Sequence, residues 1–194
     1  MSKLYFRYGA MGCGKTMQLL QVAFNYEERG QDVCVLKPNI DMKNGSKLLT
    51  RIGPERETDL CFKKADNLYK IIKSKFKNVD CILVDEAQFM TAKQVDELGQ
   101  VVDELNIPVM AYGLRLNFRQ TDGGFEGATR LLQIAQNIEE IKTICECGKK
   151  STRQARFVDG KIVTNGPDVL IDDESSETNY KSLCSKCYHR LIQQ

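Results

Sequence analysis

The chain has 194 residues, 42% of them hydrophobic and 28% charged, which is enough for one large domain or for one domain with a small appendage. Its formal net charge of +2 argues against a dedicated nucleic-acid-binding protein, which usually carries a strong basic excess. Apolar runs of only about four residues exclude a membrane span, and the N-terminus lacks the apolar stretch of a signal peptide. We therefore expect a cytoplasmic protein without nucleic-acid or membrane partners.

Predicted strands and helices alternate along the first 143 residues. The pattern predicts strands over 4–8, 32–37, 81–84, 107–112 and 141–144, helices over 16–29, 65–76 and 126–135, a helix from the N-cap residue Thr91 to about 105, and a loop over 39–57. Such alternation favours an α/β fold with a mainly parallel sheet covered by helices on both faces. Residues 156–163 instead predict a β-hairpin with Asp-Gly at its turn.

A nucleotide-binding motif lies between the first predicted strand and helix. Residues 9–16 read GAMGCGKT and match the pattern G-x4-G-K-[ST]. Glycines let the backbone wrap phosphates, the helix N-terminus favours anions, the lysine reaches the terminal phosphates and the threonine hydroxyl ligates magnesium. A chance glycine turn is the alternative. A plain helix start would account for Lys15 and Thr16 but not for the whole string. The predicted ATP contacts are Gly9, Ala10, Met11, Gly12, Cys13, Gly14, Lys15 and Thr16, with Lys15 also taking part in catalysis.

Two carboxylates follow the predicted strand over 81–84. Asp85, at the end of a buried strand, can hold Mg²⁺ opposite the Thr16 hydroxyl, which predicts Thr16 and Asp85 as the magnesium residues. Glu86 points elsewhere and is a candidate base for an attacking hydroxyl or water. Ala87 and Gln88 complete the predicted nucleotide-binding segment. Without the neighbouring phosphate motif, a solvated acidic pair would be the preferred interpretation.

Three classes of nucleoside triphosphate-binding protein compete as interpretations of these motifs. A GTPase would carry an Asn-Lys-x-Asp signature, which the sequence lacks. A helicase-like ATPase is compatible with the string DEAQ over 85–88, but it needs a second motor domain that does not fit in 194 residues. A small-molecule kinase fits the size.

The eight cysteines change pattern along the chain. Single cysteines (Cys13, Cys34, Cys61 and Cys81) give way to two close pairs, Cys145 with Cys147 and Cys184 with Cys187. This change predicts a nucleotide-binding domain over 1–143 and a second domain over 144–194. Because a reducing compartment disfavours disulfides, four thiolates in two pairs favour tetrahedral structural Zn²⁺. Four buried cysteines without metal are the alternative, and His189 is a spare candidate ligand.

Together these blocks resemble the type II thymidine kinases over nearly the whole chain. The resemblance is carried by LYFRYGAMGCGKT, LVDEAQF, IPVMAYGLRLNF, EIKTICECGKK, the final cysteine pair with Tyr180 before it, and TRIG at 50–53. It implies transfer of the ATP γ-phosphate to the 5′-hydroxyl of thymidine, with Glu86 as proton acceptor. It also implies a homotetramer and feedback inhibition by dTTP.

The resemblance further implies a set of nucleoside contacts. These are Met11, Phe89, Leu114, Phe118, Gln154, Tyr180 and a loop that clamps the base, Asp168, Val169, Leu170, Ile171 and Asp172. The chain departs from the family pattern at Asp172–Asp173, where the family has paired glycines, at Gln154, where it has a smaller or apolar residue, and at Lys43, where it has the arginine of an Asp-x-Arg motif that begins at Asp41. The departures at Asp172–Asp173 and Gln154 bear on discrimination between thymidine and deoxyuridine. Lys43 can supply a positive charge but not the two parallel hydrogen bonds of an arginine. A related deoxynucleoside kinase and a zinc-ribbon nucleic-acid-binding NTPase remain as alternatives.

Overall fold

The computed structural model describes residues 1–39, 46–119, 124–167 and 178–193. Their elements are, in chain order, β1 (Leu4–Gly9), α1 (Lys15–Glu27), β2 (Val33–Pro38), β3 (Lys47–Leu49), β4 (Glu55–Glu57), β5 (Leu60–Phe62), α2 (Leu68–Lys75), β6 (Cys81–Val84), α3 (Ala92–Leu105), β7 (Val109–Gly113), α4 (Glu126–Ile134), β8 (Asn137–Ile141), β9 (Arg153–Val158), β10 (Lys161–Val163), β11 (Thr178–Leu183) and α5 (Ser185–Ile192). A short 3₁₀ turn over Ala87–Phe89 follows β6.

Six parallel strands form the central sheet in the order β5-β2-β6-β7-β1-β8. Helices α2, α3 and α4 pack on one face around the larger core cluster, and α1 packs on the other face with Leu19 and Ala23. The predicted α/β fold with a mainly parallel, doubly covered sheet is confirmed. Because all six strands run the same way, the loops that follow β1, β6 and β7 meet at one edge of the sheet, the one formed by the carboxyl ends of the strands.

Two predictions about the central sheet are wrong. Within the predicted loop over 39–57, β3 and β4 pair as an antiparallel hairpin, and β5 then joins the sheet edge beside β2. The last strand ends at Ile141 instead of beginning there. Its sequence, NIEEI, is mostly exposed at an edge position, so its apolar residues do not mark it as a strand.

A smaller antiparallel sheet, β10-β9-β11, and α5 form the C-terminal part. The predicted hairpin is confirmed: Asp159 and Gly160 connect β9 to β10, and both have positive φ, which suits a two-residue hairpin turn. In the described part of the chain, no helix has the length and apolar character needed to cross a membrane.

Candidate active site

The nucleotide-binding motif forms a loop from the end of β1 to the start of α1. Gly12 and Gly14 have φ of +71° and +86°, a conformation that side chains with a Cβ rarely adopt. A Cβ at Gly9 would lie 2.5 Å from the Ile141 carbonyl oxygen. The loop is therefore lined by backbone, which leaves its N–H groups accessible to a phosphate.

Lys15 bends back over this loop. Its Nζ donates a hydrogen bond to the Ala10 carbonyl at 3.0 Å and lies 3.5 Å from the Gly9 carbonyl. The side chain is buried. The ammonium group is thus held at the phosphate-binding loop without a carboxylate partner among the described residues.

Asp85 faces the start of α1 at the end of β6. Its Oδ2 accepts a hydrogen bond from the Thr16 hydroxyl at 3.0 Å. The buried Oδ1 has no hydrogen-bond partner in the described part of the chain. Burial, reinforced by the nearby negative charge of Glu86, raises the pKa of Asp85 to about 7. A buried oxygen without a partner, beside a threonine hydroxyl on a phosphate-binding loop, fits the requirements of a Mg²⁺ site.

Glu86 lies in a strained turn and its side chain is held in place. Its φ of +51° is uncommon for a residue other than glycine, asparagine or aspartate. Its Oε2 accepts a hydrogen bond from Gln88 Nε2 at 2.5 Å, and Gln88 Oε1 accepts one from Leu114 N at 2.9 Å. Gln88 therefore connects Glu86 to the end of β7. The amide nitrogen and oxygen of Gln88 both form hydrogen bonds within the protein. The Ala87 side chain packs in the main core.

The four apolar candidates lie at the same edge of the sheet. Leu114 belongs to the main core cluster, and Met11 and Phe89 pack against it. The Phe89 ring meets Phe125 edge to face, with 5.2 Å between centroids. Phe118 is buried as well, and the Arg156 guanidinium lies over its ring at 3.7 Å.

One face of the C-terminal sheet is turned toward this edge. Gln154 pairs across the strands with Ser182, and Arg156 pairs with Tyr180, so these four side chains share a face. The Ser182 hydroxyl donates a hydrogen bond to the Met11 carbonyl at 2.5 Å. Gln154 is buried and lines a small cavity together with Gly9 and Ala10. The structure therefore brings Gln154 and Tyr180 to the side of the small sheet that contacts the phosphate-binding loop.

Several predicted residues lie outside the described ranges. They include the clamp segment Asp168, Val169, Leu170, Ile171 and Asp172, and also Asp41 and Lys43.

The four paired cysteines meet at one point. The Sγ atoms of Cys145, Cys147, Cys184 and Cys187 all lie within 4.8 Å of one another. Cys147 Sγ and Cys184 Sγ are 3.6 Å apart, close to the roughly 3.8 Å that sulfurs take around a tetrahedral zinc. The geometry and the all-thiol donor set fit Zn²⁺. His189 is not part of this group of ligand atoms, and its Nδ1 lies 2.8 Å from the Ser185 carbonyl oxygen.

The pKa values in this cluster diverge. Backbone N–H groups of Cys147 and Cys184 lower the pKa of the Cys145 thiol to about 7. Hydrogen bonds to Cys147 and Cys184 raise the pKa of the Cys187 thiol to about 12. Four thiolates at this separation repel one another unless a cation lies between them.

Comparison with known proteins decides the family. A family model described as thymidine kinase matches residues 2–188. The chain belongs to the thymidine kinase family. A thymidine kinase of Francisella tularensis subsp. holarctica is 43% identical over 192 residues, which cover 96% of each chain. A thymidine kinase of Enterobacteria phage T4 is 42% identical over 195 residues, covering 98% of this chain and 97% of the relative.

Likeness to solved structures of other proteins is weak. A DNA replication initiation factor gives a TM-score of 0.42 at 18% identity, covering 73% of this chain and 40% of that one. A Bacteroides Pif1 bound to ssDNA gives a TM-score of 0.40 at 15% identity, covering 72% of this chain and 38% of that one. These values are too low to carry an argument.

Within this thymidine kinase, sequence reasoning missed Arg156. The side chain is 2% exposed and donates hydrogen bonds to the Pro167 carbonyl at 2.7 Å and the Asn165 carbonyl at 2.9 Å. A Cβ at Gly166, whose φ is +119°, would lie 2.6 Å from Nη2. Arg156 thus joins Phe118 to the chain that leads into the predicted clamp. Alternation along β9 was the available signal, because it places Arg156 on the same face as Gln154.

Proposed function

We propose that this chain transfers the γ-phosphate of ATP to the 5′-hydroxyl of thymidine, giving dTMP for nucleotide salvage. The observation that carries the proposal is the Thr16–Asp85 pair with Glu86 beside it, in a chain that matches the thymidine kinase family over residues 2–188. The phosphate-binding loop supplies the nucleotide site. The neighbouring apolar residues and the facing side of the small sheet supply the nucleoside site.

Each catalytic residue has one task in this proposal. The 5′-hydroxyl oxygen bonds to the γ-phosphorus while the bond from that phosphorus to ADP breaks. The Glu86 carboxylate accepts the proton that the hydroxyl loses in this step. Lys15 stabilises the negative charge that develops on the phosphates. Thr16 and Asp85 would hold Mg²⁺, which neutralises phosphate charge when bound. Gln88 keeps Glu86 oriented through its 2.5 Å hydrogen bond.

The four cysteines have a structural task. A zinc ion held by four thiolates has no open coordination position, so it does no chemistry on the substrate. Held by Cys184 and Cys187 at the start of α5 and by Cys145 and Cys147, it would stabilise the small sheet whose face carries Gln154 and Tyr180.

The direct test is a panel of nucleosides incubated with labelled ATP and scored for monophosphate product. We expect thymidine to be the preferred acceptor. No phosphorylation of any nucleoside, together with ATP hydrolysis stimulated by nucleic acid, would instead identify a zinc-ribbon NTPase. A different preferred nucleoside would identify a related deoxynucleoside kinase.

The burial of Gln154 is a reason to measure the preference for thymidine over deoxyuridine. It is buried and polar at the position that the resemblance assigns to the thymine methyl. One methyl group contributes only about 1–3 kcal/mol of selectivity, even in a good pocket. We expect Gln154→Val to raise the ratio of kcat/KM for thymidine over deoxyuridine. An unchanged ratio means that Gln154 does not face the methyl.

Feedback inhibition by dTTP belongs to the same proposal. The thymidine part of dTTP fits the acceptor site while its phosphates reach toward the loop around Lys15. Inhibition should therefore weaken as either thymidine or ATP is raised. Inhibition that neither substrate relieves would require a separate regulatory site.

A homotetramer completes the proposal. Exposed apolar side chains on several elements, Phe24 on α1, Ile138 on β8 and Ile144, offer contact surface for other subunits. Sedimentation equilibrium should give four times the chain mass, and a monomer would contradict this.

A further inference from the structure

The turn of the β3–β4 hairpin carries the segment TRIG over 50–53, to which the proposed function gives no task. Thr50 N and its hydroxyl both donate to the Pro54 carbonyl, at 3.1 and 2.7 Å. Gly53 has a φ of +114° and its N–H lies 3.3 Å from the Thr50 carbonyl. The tight turn leaves Arg51 and Ile52 projecting from the hairpin, and both are exposed.

The Arg51 guanidinium lies against the phosphate-binding loop. A Cβ built on Gly12 would be 3.4 Å from Arg51 Nη1 and 3.9 Å from its Cζ. Even a Cβ at Gly12 would be in van der Waals contact with the guanidinium, so the Arg51 side chain lies directly beside the loop. Within residues 1–39, 46–119, 124–167 and 178–193, Arg51 makes no hydrogen bond or ion pair. Its donors are therefore available to a ligand in the loop.

Contacts of Leu48, Arg56 and Lys47 attach the hairpin to the fold. Leu48 is 1% exposed and packs in the core cluster beneath α1. Arg56 forms an ion pair with Glu27 on α1. The buried Lys37 ammonium lies 3.5 Å from the Lys47 carbonyl. These contacts do not involve Arg51, and they hold the turn on the side of the sheet where the phosphate-binding loop lies.

We propose that Arg51 binds the terminal phosphates of ATP and stabilises them during transfer, which rests on the proposed function of the same site. A guanidinium is planar and can donate two parallel hydrogen bonds to a phosphate, whereas an ammonium acts as a point charge. Lys15 supplies a point charge from the helix side of the loop. Arg51 supplies a pair of parallel N–H donors, a fork, from the hairpin side. An arginine in this role contributes most when charge moves onto the leaving and transferred groups.

The test compares Arg51→Gln and Arg51→Lys with Lys47→Gln, which removes a positive charge from the same hairpin. Lys47 Nζ is 3.3 Å from Glu55 and contacts no part of the P-loop among the described residues. We expect Arg51→Gln to lower kcat about a hundredfold with little change in the KM for thymidine. Arg51→Lys should recover part of the loss, because it keeps the charge without the fork. Lys47→Gln should stay within about twofold of wild type.

Nucleotide binding gives a second readout that needs no nucleoside. With Mg²⁺ present, the Kd of a non-hydrolysable ATP analogue should rise about tenfold or more in Arg51→Gln, and the Kd of ADP should rise less. If Arg51→Gln matches Lys47→Gln in both kcat and analogue binding, Arg51 has no part in phosphate recognition. A wild-type chain that binds the analogue but phosphorylates no nucleoside would overturn the proposed function, while the binding comparison would still decide the role of Arg51.

Discussion

Glu86 combines a left-handed backbone conformation with a side chain fixed by Gln88. Glu86→Gln keeps the size and hydrogen-bonding reach of the side chain but removes its ability to accept a proton. We expect kcat for thymidine phosphorylation to fall roughly a hundredfold or more, while binding of a non-hydrolysable ATP analogue is kept. Glu104→Gln, the same change on the exposed face of α3, is the control. Near-normal turnover of Glu86→Gln would remove Glu86 from the role of base.

Arg156 is a buried cation whose identified hydrogen-bond acceptors are carbonyl oxygens. Arg156→Lys keeps the charge but cannot span Asn165 and Pro167 while lying flat over Phe118. Each hydrogen bond that the charged group loses costs about 1.5–3 kcal/mol of stability. We expect the KM for thymidine to rise about tenfold with little change in the KM for ATP, because Arg156 holds the predicted nucleoside contact Phe118 against the chain over 165–167.

Arg153→Lys is the matched control for this change. Arg153 lies on the same strand but on the opposite face, with its guanidinium 6.0 Å from the Tyr188 ring. A loss of stability in Arg156→Lys with both KM values unchanged would show that Arg156 acts only on folding.

At the scale of elements, α3 shows what local sequence patterns capture. The predicted N-cap, Thr91, accepts a hydrogen bond from Gln94 N at 3.2 Å, and Gln94 Oε1 accepts one from Thr91 N at 3.1 Å. The helix ends at Leu105, as the pattern predicts, and the strand over 81–84 is also correct. The phosphate-binding loop was equally predictable, because its glycines, lysine and threonine are consecutive in the chain.

Other elements depend on partners far away in the sequence. Strands β3, β4 and β5 have only three residues each, too few for any periodicity to be visible. The burial of Arg156 depends on Phe118 and on the chain over 165–167, so no window of sequence around it could reveal its contacts. The approach of Arg51 to Gly12 depends in the same way on where the hairpin packs.

The capping box of α3 gives a prediction about stability alone. Thr91→Ala removes the acceptor for Gln94 N and should lower the free energy of unfolding by about 1 kcal/mol, measured by urea denaturation. Thr91→Ser keeps the hydroxyl and should lose much less. Since the side chain of Thr91 caps the helix through Gln94 and no hydrogen bond joins it to a substrate contact in the described part of the chain, kcat should stay the same in both variants. A lower kcat in Thr91→Ala alone would show that α3 also positions the catalytic turn.

At the scale of the whole molecule, hydrogen bonds from Ser182 on β11 and from Tyr188 on α5 connect the C-terminal part to the nucleotide-binding part. Ser182 donates to the Met11 carbonyl at 2.5 Å, and the Tyr188 hydroxyl donates to the Phe118 carbonyl at 2.9 Å. Ser182 lies two residues before Cys184, and Tyr188 directly follows Cys187. The four-cysteine cluster is thus joined through short stretches of chain to both the phosphate-binding loop and a predicted nucleoside contact.

This arrangement predicts that the metal acts on substrate binding from a distance. Elemental analysis should find about one zinc per chain, and strong chelators should remove it together with the folding of the C-terminal part. Cys184→Ser should lose the zinc and raise the KM for thymidine, although Cys184 is predicted to hold zinc and not substrate, because Ser182 and Tyr188 then lose their fixed positions. Cys61→Ser, a change at a cysteine outside the cluster, should keep both the zinc and the KM. A metal-free preparation that is fully folded and active would refute the zinc assignment, and a Cys184→Ser variant with an unchanged KM would refute the coupling.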